Sequence, residues 1–208
     1  MKDKIEEAAT YVGNDWKTGS YYDEAERVVE TMWEHEVWPI IRKCDCDFSC
    51  VLDLAAGHGR NSNKLKDISS KIYIVDINQE NIDFCKERFK NDKDRFVFIK
   101  NNGTDLNEIS NGSISFVFCY DAMVHFDSDV VRAYLGEFRR ILKPGGIGFC
   151  HHSNYTKNPE GDLHDNPGWR NYMSQSLFAH YCHKENLTVI ESQILRSELD
   201  CITLFKIK

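Results

Sequence analysis

Three histidines stand where this chain could move a proton. His125 comes shortly after the apolar run Ile114-Ser-Phe-Val-Phe-Cys-Tyr120, and the pair His151-His152 ends the run that starts at Ile147. Imidazole titrates near neutrality, so it is the side chain best matched to taking a proton from a hydroxyl. Neighbouring residues of a strand point to opposite faces, so His151 and His152 cannot both address one acceptor while the strand persists. His125 has a second reading, as a local cap for the helix that begins near Asp127. At least one of the three is expected to act as a base or to hold an acceptor.

The other stretch that carries chemistry is Val51-Leu-Asp-Leu-Ala-Ala-Gly-His-Gly-Arg-Asn-Ser62. It reads as a buried strand (Val51 to Leu54), a turn (Ala55 to Gly59) and a helix start (Arg60 onward). Gly57 and Gly59 carry no Cβ, so the backbone can turn sharply and approach a ligand there. Loop amides and a helix N-terminus face the same place. Asp76 ends the next apolar run, 19 residues after Gly57. A carboxylate at that position can accept both hydroxyls of a ribose, or it can cap the helix that starts at Asn78. The ribose reading fits an adenosine-containing ligand, either a dinucleotide or S-adenosylmethionine. A dinucleotide fingerprint wants a third glycine at position 62, which is Ser62 here.

These residues need a sheet to hold them. Short apolar runs at Val51–Leu54, Lys71–Asp76, Arg95–Lys100, Ile114–Tyr120 and Ile147–His152 read as strands. Between them lie helical stretches at Asn61–Asp67, Gln79–Phe89 and from Asp127 or Ser128 to Leu142, with a loop and the Asn111-Gly112 turn before the fourth strand. The alternation indicates a parallel, doubly wound α/β sheet. The tail departs from it: a helix at Ser174–Glu185 precedes strands Leu187–Leu195 and Asp200–Ile207. The short link between those strands has no room for a crossover helix, so they must pair antiparallel. Upstream, Ile5–Val12 is a short helix, followed by turns at Gly13-Asn14-Asp15 and Thr18-Gly19-Ser20. Tyr21 to Arg42 is a longer helix, with a break near Trp38 caused by Pro39.

Four motifs in this order resemble the class I S-adenosylmethionine-dependent methyltransferases. Val51 to Asn61 is similar to their first motif, Ile74-Val-Asp76 to their ribose-binding strand end, and Phe116-Val-Phe-Cys-Tyr-Asp121 to their fourth-strand motif. Arg139-Arg-Ile-Leu-Lys-Pro-Gly-Gly146 is similar to a helix-to-strand turn found in many members. The resemblance spans residues 48 to 152, and the antiparallel tail agrees with the family's closing hairpin. It implies a Rossmann-like, mostly parallel seven-stranded sheet of order 3-2-1-4-5-7-6, with S-adenosylmethionine as cofactor. Carried over residue by residue, it places Asp53, Ala55 and Gly57, within the turn that Gly59 closes, under the methionine part. Asp76 takes the ribose, Ile77 lies against the adenine, and Gly103-Thr104-Asp105 brackets the adenine edge. Tyr120 and Asp121 lie beside the sulfonium. Which of Thr104 and Asp105 meets the adenine amine stays open. So does Arg60, which either meets the cofactor's carboxylate or lies solvated in its helix.

Two segments are candidates for the acceptor. Residues 1–45 form an N-terminal cap, in which Trp16, Tyr21 and Tyr22 are either a lid over a ligand or packing against the sheet. Residues 153–173 form a polar, aromatic loop carrying Asn154, Tyr155, His164, Asp165, Asn166, Trp169 and Arg170, which reads as an acceptor lid. The run His-His-Ser-Asn-Tyr followed by Gly-Trp-Arg-Asn-Tyr-Met resembles a subgroup of small bacterial methyltransferases, some tied to surface-sugar pathways. The expected reaction is methylation of a hydroxyl on a small molecule, such as a sugar or a surface-carbohydrate precursor. The competing readings are a protein or RNA methyltransferase and a non-catalytic cofactor-binding module.

A net charge of −7 argues against a general nucleic-acid or anionic-membrane surface. No run has the apolar length of a membrane span, and Met1-Lys-Asp-Lys-Ile-Glu-Glu is too polar for a signal peptide. One cytoplasmic domain over residues 1–208 is therefore expected, as a monomer or homodimer. The eight cysteines then read as reduced thiols. Cys44, Cys46 and Cys50 lack the partners of a tetrahedral metal site, so no metal is expected.

Overall fold

The computed structural model describes residues 2–17, 19–195 and 197–208; Thr18, in the expected Thr18-Gly19-Ser20 turn, lies outside them. Seven strands form one sheet: β1 (Cys50–Leu54), β2 (Lys71–Asp76), β3 (Phe96–Lys100), β4 (Ile114–Cys119), β5 (Leu142–Ser153), β6 (Leu187–Ile194) and β7 (Asp200–Ile207). Their order is β3-β2-β1-β4-β5-β7-β6. β1 to β5 run parallel, and β7 is antiparallel to both β5 and β6. This is the Rossmann-like sheet implied by the motifs. Every residue of β4 is buried, as an inner strand covered on both faces must be.

Helices cover both faces. On one side α1 (Lys2–Asn14), α6 (Ser128–Ile141) and α7 (Gln175–Lys184) pack on Leu52, Leu54, Val75 and Val117. On the other, α2 (Tyr21–Met32), α3 (Trp38–Ile41), α4 (Arg60–Leu65) and α5 (Gln79–Arg88) pack on Val51, Ile72, Ile74 and Phe116. Trp33 anchors the second layer. It is fully buried, stacks on Phe118 with ring centres 5.4 Å apart, and donates from its indole to Asn61 at 2.9 Å. Full burial of such a ring contributes about 3 kcal/mol.

The break expected near Trp38 is a widened π turn at Trp33–Val37, where the Trp38 amide reaches back to the Trp33 carbonyl. Pro39 has no N–H to donate, and its ring would strike a carbonyl one turn earlier, so the preceding turn opens. β5 begins at Leu142 rather than Ile147. Leu142 already pairs with Ile114, and a register shift then absorbs the residues up to Gly146. α6 starts where expected, because the Asp127 carboxylate accepts the Asp129 amide. The 153–173 loop is less irregular than its composition implies. It contains single turns at Leu163–Asp165 and Pro167–Trp169 and a bridge between Tyr155 and Tyr172. Among the described residues no helix is long and apolar enough to cross a membrane, and no cluster of His, Cys, Asp or Glu could hold a metal.

Candidate active site

At the carboxyl ends of β1, β2 and β4 the sheet opens into a cavity of about 920 Å³, mouth included. This is the crevice where open α/β sheets take their ligands. Its inner wall is built from Ala55, Gly57, Asp76, Ile77 and Gly103. Asp76 is its organising group. One carboxylate oxygen accepts the Gly57 amide and the other the Asn78 amide, both at 2.9 Å, while the Asn81 side chain reaches the latter at 3.2 Å. Burial pushes the Asp76 carboxyl above the ordinary carboxylate range, and these donors oppose it. Gly57 (φ 55°) and Gly103 (φ 85°) sit in left-handed backbone under close neighbours. A Cβ at Gly103 would meet Ile77 at 2.6 Å and Ala9 at 2.7 Å, and one at Gly57 would meet Tyr22 at 2.5 Å. Only glycine fits either place.

The N-terminal segment roofs this wall. Asn78 donates to the Gly13 carbonyl at 2.8 Å, and Tyr22 donates to the Trp16 carbonyl at 2.6 Å. Tyr22 also stacks on His58 at 3.8 Å, and His58 on Phe84 at the same distance. Ala9, Val12 and Gly13 of α1 line the cavity directly. The sequence signal for them was a run of small residues on one side of a short helix, which is too common to mark a site. His58 and Asn78 were likewise missed, although both flank the glycine and acid motifs.

A second hollow of about 640 Å³, more open than the first, adjoins it. Trp16, Tyr21, Asp121 and His125 line both, so they form the junction between the two. Trp169, Arg170, Asn166 and His164 complete the second hollow. At the junction Arg60 donates to Asp121 at 2.7 Å and to the Tyr21 hydroxyl at 3.2 Å, and Tyr21 itself donates to Asp121. Arg60 is thus an ion-pair partner at the cavity wall rather than a solvated helix residue. Burial works against the Asp121 charge, but the neighbouring His151 and Arg60, with these hydrogen bonds, outweigh it and hold the carboxyl below its usual range. Tyr120 also lines the first cavity and donates its hydroxyl to Glu36, in the widened turn.

The three histidines part ways. His125 is at the junction, 6% exposed, with Nδ1 2.8 Å from the Trp169 carbonyl. A carbonyl only accepts, so Nδ1 carries the hydrogen and Nε2 keeps its lone pair. Burial lowers the His125 pKa, which favours this neutral form. His152 is in the core and cannot be a base for the cavity. It stacks on Phe178 at 3.9 Å, both nitrogens are bonded, and burial pushes its pKa down to about 3. His151 is 3% exposed and lines neither hollow; it stacks on Tyr120 from behind at 4.5 Å.

Other expected site residues also fall outside the two hollows. Asp53 is 1% exposed on the α4 side of β1, where the Ser62 hydroxyl donates to it at 2.6 Å. Burial raises its pKa to about 7, so it is a structural tie between strand and helix. Gly59 is the left-handed residue that starts α4, packed against Phe89. Thr104 and Asp105 turn towards Asn102, whose side-chain Oδ1 accepts both their amides at 3.0 Å, leaving only Gly103 of that trio on the cavity. Asn154 caps the start of α7 and ties it to the β6–β7 turn. Tyr155 is held in the backbone bridge to Tyr172. For Asp53, Thr104, Asp105 and Asn154, hydrogen bonds invisible in a motif take the side chain away from the cavity.

Comparison with known proteins agrees with this geometry. A methyltransferase-domain family model matches residues 51–146. A methyltransferase of Claviceps purpurea is 32% identical over 103 residues, covering 50% of this chain and 31% of that protein. A demethylmenaquinone methyltransferase of Leptospira interrogans is 29% identical over 134 residues, covering 60% of this chain and 53% of its own. The chain thus spans about a third to a half of the length of these curated relatives. Among solved structures, a Leishmania major S-adenosylmethionine-dependent methyltransferase superposes with a TM-score of 0.73 at 12% identity, covering 96% of this chain and 82% of that one. A Clostridium acetobutylicum methyltransferase of the same cofactor gives 0.70 at 16% identity, over 91% and 99%. Sheet order, glycine turn and strand-end acid agree with the methyltransferase-domain match over residues 51–146, and the fold is that of the solved S-adenosylmethionine-dependent methyltransferases on which the chain superposes.

Proposed function

We propose that this chain transfers a methyl group from S-adenosylmethionine to a hydroxyl of a small, polar acceptor, with His125 as the base. The observation that carries the reading is the junction: His125 lines both hollows, and its hydrogen bond to Trp169 leaves Nε2 free to accept a proton.

The inner wall fits the cofactor. Asp76 would hold the ribose, because the Asn81 amide spreads two hydrogens over Asp76, the Trp16 carbonyl and the Tyr22 hydroxyl, and can release Asp76 to a diol. Ile77 and the Gly103 backbone would flank the adenine, and Tyr120 and Asp121 would stand nearest the methionine part. S-Adenosylmethionine supplies an electrophilic methyl group on a sulfonium. The residues of the chain then align the acceptor, exclude water and receive its proton. The 1–45 segment serves as the cofactor's lid, within a single domain over 1–208. The loop at 153–173 holds the acceptor, with Trp16 and Trp169, in edge-to-face contact at 5.8 Å between ring centres, forming one aromatic wall. Aromatic faces next to hydrogen-bonding groups suit a sugar or another hydroxylated metabolite, which supports a role in carbohydrate biosynthesis. Arg60 and Arg170 at this mouth are both engaged by carboxylates, which argues against a basic groove for a macromolecule.

The test is transfer of label from S-adenosylmethionine to a panel of sugars, nucleotide-sugars and small hydroxy acids, with His125→Asn alongside. The variant is expected to lose about 100-fold or more in turnover while keeping cofactor affinity. Full turnover by His125→Asn, or label found only on amines, overturns the assignment.

A further inference from the structure

We infer that His151 is a positioning residue for the transfer: from behind the cavity it holds the strained turn at Asp121 and joins that turn, through Asp200, to Arg170 in the acceptor loop. The inference rests on the methyltransferase reading above.

Asp121, two residues beyond the end of β4, has φ 61°, a left-handed conformation that residues other than glycine adopt sparingly. The carboxylate that this turn aims at the junction is the one gripped by Arg60 and Tyr21. On the other side, the Asp121 amide donates to His151 Nδ1 at 3.1 Å. An amide nitrogen only donates, so Nδ1 is unprotonated and the ring hydrogen is on Nε2. Nε2 is buried with no hydrogen bond among the described residues, and the group it faces is Asp200 Oδ2, 3.6 Å away. Asp200 is in turn held bidentate by Arg170, at 2.8 and 2.6 Å. The sequence of contacts runs from the acceptor loop to the reaction centre: Arg170, Asp200, His151, Asp121, then Arg60 and Tyr21.

Two further facts separate this role from that of a base. His151 lines neither hollow, so it cannot touch an acceptor. Its ring backs Tyr120, whose other surroundings include the cavity, so it braces two consecutive residues of the wall. The Asp121 amide on Nδ1 fixes the ring's tautomer, and the Asp200 carboxylate facing Nε2–H at 3.6 Å favours the same orientation electrostatically. The Asp121 turn is then set by three distant segments: β5, the start of β7 and the acceptor loop.

The experiment compares His151→Leu, which keeps bulk but accepts no hydrogen bond, with His151→Asn, which can still accept from the Asp121 amide. Hydrogen–deuterium exchange of that amide is read in the cofactor-free protein, and kcat, acceptor KM and cofactor Kd in the assay. His151→Leu is expected to unprotect the Asp121 amide and lower kcat about tenfold or more, with cofactor Kd within about threefold; His151→Asn restores most of both. Asp200→Asn, which keeps the packing, should lower kcat less and raise acceptor KM, and it stands in if His151→Leu does not fold. Undiminished kcat in His151→Leu, no rescue by His151→Asn, or equal losses in kcat and cofactor affinity each overturn the proposal. Absence of turnover in the unsubstituted chain instead overturns the methyltransferase reading, while the exchange result still tests the contact.

Discussion

The inner wall of the cavity is made by Ala55–Gly57, Asp76–Asn78 and Gly103, each at the end of a neighbouring parallel strand and held largely by backbone amides. The junction and outer hollow draw instead on Trp16 and Tyr21, Asp121 and His125, and Gly168–Arg170, which are far apart in the chain and held by side chain to side chain. Asp76 meets two amides from adjacent strand ends. Asp121 meets Arg60 and Tyr21 from two different helices. The first kind of site follows from the sheet itself and is shared by proteins with little sequence in common. The second depends on how loops and the N-terminal cap happen to dock, so it is where members of one fold differ in what they act on.

Substitutions can break that contrast, and the largest effect is expected at the inner wall. Asp76→Ala removes a buried acceptor of three donors and the proposed ribose contact; cofactor affinity should fall about 10- to 100-fold by calorimetry. An unchanged Kd would show that the strand-end acid is only a cap for α5. A smaller effect should appear on the outer side. Trp169→Ala removes an aromatic wall that is 39% exposed, and acceptor KM should rise several-fold, by roughly the value of one ring contact, with cofactor Kd unaffected. If cofactor Kd rises instead, the two ends are one site and the contrast fails.

The smallest effect concerns the latch between the cap and the acceptor loop. His164 contacts Asp15 at 2.9 Å through Nε2 and Asp162 at 2.5 Å through Nδ1, and Tyr11 donates to Asp162 at 2.7 Å. A neutral imidazole can donate to only one carboxylate, so the imidazolium fits this arrangement. The Asp15 and Asp162 hydrogen bonds raise the His164 pKa. The stabilisation is therefore complete below the ordinary histidine pKa and is lost as pH rises through the higher folded value. His164→Gln should lower Tm by about one or two degrees at pH 5.5 and leave it unchanged at pH 9, because exposed pairs contribute little. A deficit that grows with pH would reverse the assigned sign.

Much of the inner wall was legible in the residues. Gly57, Asp76, Ile77 and Gly103 line the cavity as their motifs implied. Asp53 has the same motif credentials but faces α4, since one step along a strand reverses the side-chain direction. The histidines show the limit from the other side. Alternation predicts that His151 and His152 point apart, but not which of them meets Phe178 and which meets Asp121; that follows from where α7 and β7 pack. Arg170 and Trp169 stood out by composition, but Asn154 and Tyr155 stood out equally and are tied instead to the start of α7 and to the Tyr172 backbone.

By itself the sequence determined which segments are strands and the place of the glycine turn and acid, because local periodicity and short-range spacing dictate which segments become inner strands and where each one ends; the strand order followed only from the resemblance of the motifs to a known family. Only the tertiary structure decided which histidine reaches the cavity, which carboxylate is a tie and which a ligand-facing group, and how the cap meets the acceptor loop. Those outcomes depend on contacts between residues a hundred or more positions apart, such as Tyr21 with Asp121 and Tyr11 with Asp162, and no local pattern encodes them.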